Sequence, residues 1–502
     1  MTTMRSELTI AAATRLINFV NASPTPFHAV HNASQLLDKA GFRKLKESDS
    51  WDKELESGGK YYFTRNQSCL IAFTLPHQWK IGTGLSIVAT HVDSPNLRVR
   101  PISKREKVGY LQVSIETYGG GIWHSWFDRG EDLLYAAEIL LKIVLDLSLA
   151  GRVVTADKTG KFASRLVKID RPVLRVPTLA IHLDRSVDVS FAFNQETEFI
   201  PILGLAASQL NTPTEAPKKT ATSIQDNHHS ALLSLLSEEL SVAPEEIHDF
   251  ELHLYDVQPA CLGGINNEFI FAPRMDNQFS SYCAVEALIN TASSNLFPTL
   301  EGNVNAIALF NHEEVGSVSS TGAEANLIPS LLSRLSPTPE TLAQSIDRSF
   351  LLSCDMGHAV HPNYSSKHED NHRPHINAGM VIKTNAKQRY ASDAISSFIV
   401  KKLIEKKGGQ VQEFEVRNDM ACGSTVGPPL STIGMKTVDV GAPMLSMHSI
   451  RETAGSRRVT LFAVLDFRLT SFPFHSDVQN CIDLFESLFE GYASLDKNLT
   501  VD

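Results

Sequence analysis

Residues 304–316, VNAIALFNHEEVG, form an apolar, β-branched run that breaks off into two adjacent carboxylates, Glu313 and Glu314. The run predicts a strand, and a strand delivers both acids to one point. Neighbouring side chains leaving a strand end point in different directions, so one carboxylate can hold a metal while the next acts as a base on metal-bound water. An isolated Glu-Glu pair is otherwise a solvated loop. The pair therefore matters only if ligands from elsewhere in the chain converge on it.

A chain of 502 residues exceeds one ordinary core, so two or more domains are expected, and 42% hydrophobic with 20% charged residues reads as globular. The net charge of −10 argues against a nucleic-acid polyanion as partner. Six cysteines stand singly, without CxxC spacing, which fits reduced thiols. The N-terminal stretch has the scattered polar residues of an amphipathic helix, not of a signal peptide, and no run approaches the roughly 20 apolar residues that span a bilayer. A cytoplasmic location is expected, a vacuolar one being the alternative, with no membrane partner.

Helical periodicity over 7–20 and 29–40 is separated by Ser23-Pro24-Thr25-Pro26. Runs 60–65 and 68–75 predict a hairpin, and Leu85 to Thr90 a buried strand ending on His91. From 97 the texture turns to short β runs, among them Leu111 to Tyr118, Arg152 to Thr155 and Val173 to Leu183. After 265 strands and helices alternate again: a helix over 277–291, strands at 304–310 and 349–354, a helix over 391–407 and a strand at 436–440. The expected fold class is α/β, a mixed sheet flanked by helices. Its sequence is split into 1–96 and 253–502, with a β-rich domain inserted over 97–252.

Five segments put a metal-suitable side chain at or just past an apolar run: His91, Asp276, the Glu313-Glu314 pair, Asp355 and His448. In open α/β sheets the functional crevice lies beyond the carboxyl ends of the strands, so these remote residues can meet there. Two imidazoles and several carboxylates suit a borderline metal such as zinc, and a shared carboxylate can bridge two ions. Asp93, two residues after His91, is placed to orient that imidazole through its second nitrogen or to tune the site as an acid behind it. The run His358, His361, His368, His372 and His375 has no regular ligand spacing and reads as a loop at the cleft rim. Gly119-Gly120-Gly121 reads as a tight backbone approach or an interface turn and not a phosphate cradle. Cys422, without a defined base, reads as part of a lining loop.

With these residues in hand, the chain resembles the aspartyl aminopeptidase family of di-zinc exopeptidases. The likeness runs through SPTPFHAV (23–30), HVDSPNLRV (91–99), ETYGGGIW (116–123), NEFIFAPRMDN (267–277), NHEEVGS (311–317), DMGHAVHPNY (355–364), VIKTNAKQRYAS (381–392), CGSTVGP (422–428) and MHSIRE (447–452). The resemblance implies two zinc ions per chain, one held by His91, Asp276 and Asp355 and the other by Asp276, Glu314 and His448. Glu313 would be the general base. It further implies that the inserted domain dimerises, that dimers assemble to a dodecamer, and that a histidine, here His182 in LAIHLDR, serves a neighbour's active site and its oxyanion.

Peptides with an acidic N-terminal residue need a cation in the specificity pocket, for which Lys383 is the candidate and Arg389 a lesser helper. Two segments depart from the family pattern: 130–145 after WFDR, and 457–474 after ETAGS. They read as translated non-coding remnants or, alternatively, as insertions on surface loops. The competing functions are a di-zinc carboxypeptidase or deacylase with another pocket, and an inactive assembly subunit disabled by these segments.

Overall fold

The computed structural model describes residues 2–128, 131–133, 142–144, 146–185, 190–209, 223–300, 302–456 and 476–501. Two compact units are present: Met1–Ser94 with Ala260–Met447 and Arg451–Asp502, and Pro95–Pro259 with His448–Ile450. The second unit runs on to Pro259, past the expected 252, because Ile247–Asp256 is a strand of its own sheet.

The first unit is built on nine strands. Their spatial order is Arg43–Lys44, Lys60–Arg65, Cys69–Thr74, Val304–Phe310, Leu85–His91, Phe350–Cys354, Lys436–Gly441, Met380–Lys383 and Val411–Phe414. Four central strands, from Val304–Phe310 to Lys436–Gly441, run parallel. Antiparallel neighbours at either side, Cys69–Thr74 and Met380–Lys383, make the sheet mixed. The central runs are apolar at successive positions because both faces are covered. Period two divides each run between two cores. Val88, Ile307, Leu309 and Leu352 pack with helices Pro26–Lys39, Met275–Ser293 and Asp477–Asp496. Ile87, Ala89, Ala306, Ala308 and Leu351 pack with Leu327–Leu335 on the other face.

The prolines of the N-terminal joint start a helix. Thr25 caps Pro26–Lys39 by accepting from the His28 backbone N–H at 3.4 Å, with Pro26 in the first turn, where no N–H is needed. The same unit holds a five-stranded sheet in the order Cys261–Gly263, Phe269–Ala272, Glu452–Gly455, Pro443–Leu445 and Gly357–His358.

The second unit carries an antiparallel sheet of six strands, ordered Phe162–Lys168, Leu147–Ala156, Ile247–Asp256, Asn96–Lys107, Tyr110–Tyr118 and Ile202–Leu205. Alternation sends Leu97, Val113, Ile115, Leu149, Val153, Leu252 and Leu254 into one core. Helix Ser230–Leu240 adds the stripe Leu232, Leu233, Leu236 and Leu240. Val173 to Leu183 is not the expected strand: only Leu174 and Arg175 form isolated bridges, and residues 181–183 form a turn. Pro172 and Pro177 remove the N–H groups that a ladder needs.

Segments 130–145 and 457–474 lie outside the described residues, apart from backbone pairing of Glu131–Leu133 with Lys142–Val144. Among the described residues no helix is long and apolar enough to cross a membrane. All six cysteines are free thiols.

Leu352 has no exposed surface and sits mid-strand in the first core. Leu352→Ala is expected to destabilise the protein by about 2–5 kcal/mol, the range for a buried leucine cavity. Urea unfolding at fixed protein concentration measures it, and a midpoint equal to wild type would contradict the packing described.

Candidate metal centre

Parallel strands bring their carboxyl ends to one edge, and the candidate ligands leave the sheet there. His91 is the last residue of its strand, and Asp355 follows Cys354 directly. Glu313 and Glu314 lie in the short turn Glu313–Val315, beyond Phe310. Asp276 comes from the first turn of helix Met275–Ser293.

Backbone conformation shapes the turn. His312 enters at φ 64° and Gly316 leaves at φ 98°, both left-handed, and the Ser317 N–H donates to the His312 carbonyl at 2.7 Å. Asp93, fully buried, clamps the result. Its two carboxylate oxygens accept from the backbone N–H groups of Glu313 and Glu314, each at 3.2 Å. Its carbonyl accepts from His91 Nδ1 at 3.1 Å. One residue thereby sets the imidazole and both glutamates. The sequence led us to expect only the first of these roles.

A carbonyl can only accept, so His91 Nδ1 carries a proton and Nε2 faces the acids. Nε2 stands 3.3 Å from Asp355 Oδ1, 3.4 Å from Asp276 Oδ1 and 3.9 Å from Glu313 Oε2. One ligand atom each from His91, Asp276 and Asp355 falls within 4.8 Å of the others, as do atoms of His91, Glu313 and Glu314. Acceptors gathered this closely away from water need a positive charge among them, a proton or a metal ion. Burial alone lowers the His91 pKa, yet the Glu313 charge and hydrogen bonds to Asp276, Asp355 and Asp93 raise it well above the usual imidazole value. Burial pushes Glu313 up to about 8 against the pull of His91, with Asp355, Asp93 and Asp276 adding to the rise. One nitrogen and several oxygens of this kind fit a divalent cation such as zinc.

Asp276 is itself held: its N–H donates to Glu452 Oε2 at 3.1 Å, and the Ser94 hydroxyl donates to its carbonyl. Glu452, buried at the head of a strand, is a site residue that the sequence reading missed. An acid opening an otherwise uncharged strand, in a matched motif, was the available signal.

Lys383 is no surface lysine, being 2% exposed. Its Nζ donates to the Met356 carbonyl at 2.7 Å, lies 3.9 Å from Asp355 Oδ2 and stands 5.5 Å from the Tyr390 ring centre. Arg389 Nε instead donates to the carbonyls of Cys422 and Gly423, at 3.2 and 3.4 Å, and braces that loop.

His448 belongs to the second unit. There its Nδ1 donates to the Gly120 carbonyl at 3.0 Å, which brings the imidazole against the backbone of the glycine run. His182 sits on an exposed turn of that unit. Among the described residues the histidines from His358 to His375 form no group of three converging ligand atoms; His361, His368 and His372 are used in local hydrogen bonds.

The family model for Aminopeptidase I zinc metalloproteases (M18) matches residues 19–468. The chain belongs to the M18 family. An aspartyl aminopeptidase of Aspergillus oryzae is 44% identical over 97% of this chain and 97% of that protein. Aspartyl aminopeptidase 1 of Schizosaccharomyces pombe is 43% identical over 98% and 97%. Among solved structures, one chain of the Ape4 and Nbr1 complex matches with a TM-score of 0.87 at 43% identity, covering 98% of this chain and 89% of that one. The S. cerevisiae mApe1 dodecamer matches with a TM-score of 0.80 at 28% identity, over 97% and 99%. This M18 chain is a metallo-aminopeptidase, and the groups that could hold its metal lie at the strand ends.

Replacing Asp93 by Ala in this M18 chain is expected to lower zinc affinity or turnover about 10–100-fold, as for other residues that orient metal ligands. Competition against a chromogenic chelator reads the affinity. Wild-type affinity together with wild-type turnover would contradict the clamp.

Proposed function

We propose that the chain removes N-terminal Asp and Glu residues from peptides with the help of two zinc ions. His91, Asp276 and Asp355 would hold one ion and Asp276, Glu314 and His448 the other, so that both would draw on Asp276. Zinc, when bound, lowers the pKa of water and polarises the scissile carbonyl. Glu313 takes a proton from the attacking water and returns it to the leaving amine, a task suited to a carboxylate held in the turn beyond the strand, 3.9 Å from His91 Nε2. Asp93 keeps that carboxylate in place through the backbone of its turn.

The observation that carries the acidic specificity is the buried Lys383 amine, 3.9 Å from Asp355. A basic side chain next to a metal ligand gives the carboxylate of a first Asp or Glu a partner inside the site. Relatives above 40% identity carry the name aspartyl aminopeptidase, which supports the same specificity. The second unit serves dimerisation in this reading, and dimers assemble into a dodecamer as in the related mApe1. His182, on its exposed turn, reaches a neighbour's site and helps to stabilise the oxyanion. Six free thiols fit the cytoplasm as its compartment.

Glu313→Gln is expected to retain both zinc ions and lose about 10²–10⁴-fold in turnover, the scale of a positioned base. Zinc content beside steady-state rates tests this, and near-normal turnover would remove Glu313 from the role. Lys383→Met is expected to lose on the order of 100-fold in kcat/KM on Asp-terminal peptides, the scale for truncating one partner of a buried charge pair. The effect on Leu-terminal peptides should be much smaller; equal losses on both would refute Lys383 as the specificity cation.

A further inference from the structure

Two strands next to metal-site residues in sequence also wall a cavity. Gly357–His358 starts just after Asp355, and Pro443–Leu445 shortly precedes His448. They pair in parallel, Gly357 opposite Pro443 and His358 opposite Met444. The cavity beside them measures about 270 Å³. Its floor is buried and apolar, formed by Ala359, Phe414 and Met444. Met420, 41% exposed, and half-buried Met447 stand at its mouth. The rim carries Lys367 and Arg417 against Glu369 and Glu415, with His358, His361 and His368 beside them; Arg417 is already paired with Asp419 and Glu369 with His372.

Lys383 does not line this space; its amine turns to Met356 and Asp355. A substrate of an aminopeptidase has a single residue before the scissile bond and all the others after it. With the acidic first residue assigned to Lys383, a cavity whose lining starts at His358, three residues from Asp355, is left for the leaving-group side. We infer that it receives the side chain of the substrate's second residue and favours a large apolar or aromatic group there.

The inference rests on the acidic-aminopeptidase reading above. Flexible thioethers adapt to side chains of different outline, so Phe, Leu and Met are all accommodated. An acidic or small second residue gains little, the first because the floor offers it no partner and the second because it leaves the space unfilled.

The test compares kcat/KM for Asp-Phe-Gly and Asp-Ala-Gly. The wild-type enzyme is expected to prefer Phe by about 10-fold or more, the usual span for filling an apolar pocket. Met420→Glu, at the exposed mouth, should move this ratio toward one, and Met447→Ser should do the same from a second position. Equal rates in the wild type, or a ratio unchanged in both variants, overturn the inference and leave the acidic reading standing. Failure to cleave either peptide while Leu-Ala-Gly is cleaved removes the acidic reading and this inference with it.

Discussion

The His91 imidazole turns Nε2 toward Asp276 and Asp355 at 3.4 and 3.3 Å, in a place where none of the three is more than 8% exposed. Lone pairs meeting at that spacing repel unless a cation lies among them, and burial removes the water that would otherwise screen them. The arrangement persists because it is fixed from outside the cluster. Asp93 holds the imidazole and the Glu313-Glu314 turn, and Glu452 holds the backbone of Asp276. The folded chain thus gathers at this edge buried acceptors whose mutual repulsion a bound proton or a divalent ion would offset.

The scaffold supplies the stiffness. Four parallel strands buried on both faces leave their ends little freedom, and the candidate ligands of this unit sit on a strand's last residue, just beyond a strand, or at the start of a helix packed on the sheet. Long separations in sequence, such as 264 positions between His91 and Asp355, disappear because their strands pair side by side. The same edge continues into the five-stranded sheet, whose Gly357–His358 and Glu452–Gly455 strands carry the chain away from Asp355 and bring in the acid that holds Asp276.

Much of this was legible in the residues. Apolar runs that end in His, Asp or Glu marked both the strands and the edge where chemistry gathers, since a buried strand end is an unfavourable place for a charge without a partner. The mixed sheet with helices on its faces followed from the alternation of strand and helix. Other features were not readable. Val173 to Leu183 looks β-rich by composition, but prolines deny it a ladder, a case in which hydrogen-bonding capacity outweighs propensity. The double duty of Asp93 depends on backbone N–H groups of a remote segment meeting its carboxylate, which no local pattern encodes; the acid heading its strand marked Glu452, but not Asp276 as its partner. The burial of Lys383 could not be told from its type, because lysine is ordinarily exposed.

The central claim is the proposal that Asp276 serves two zinc ions, in which case both would depend on it. Zinc per chain, measured by mass spectrometry of the purified protein after exhaustive dialysis, should be two for the wild type and close to zero for Asp276→Ala with the fold intact by circular dichroism. An Asp276→Ala protein that keeps both ions, or a wild type that binds none under zinc-replete conditions, would contradict the account.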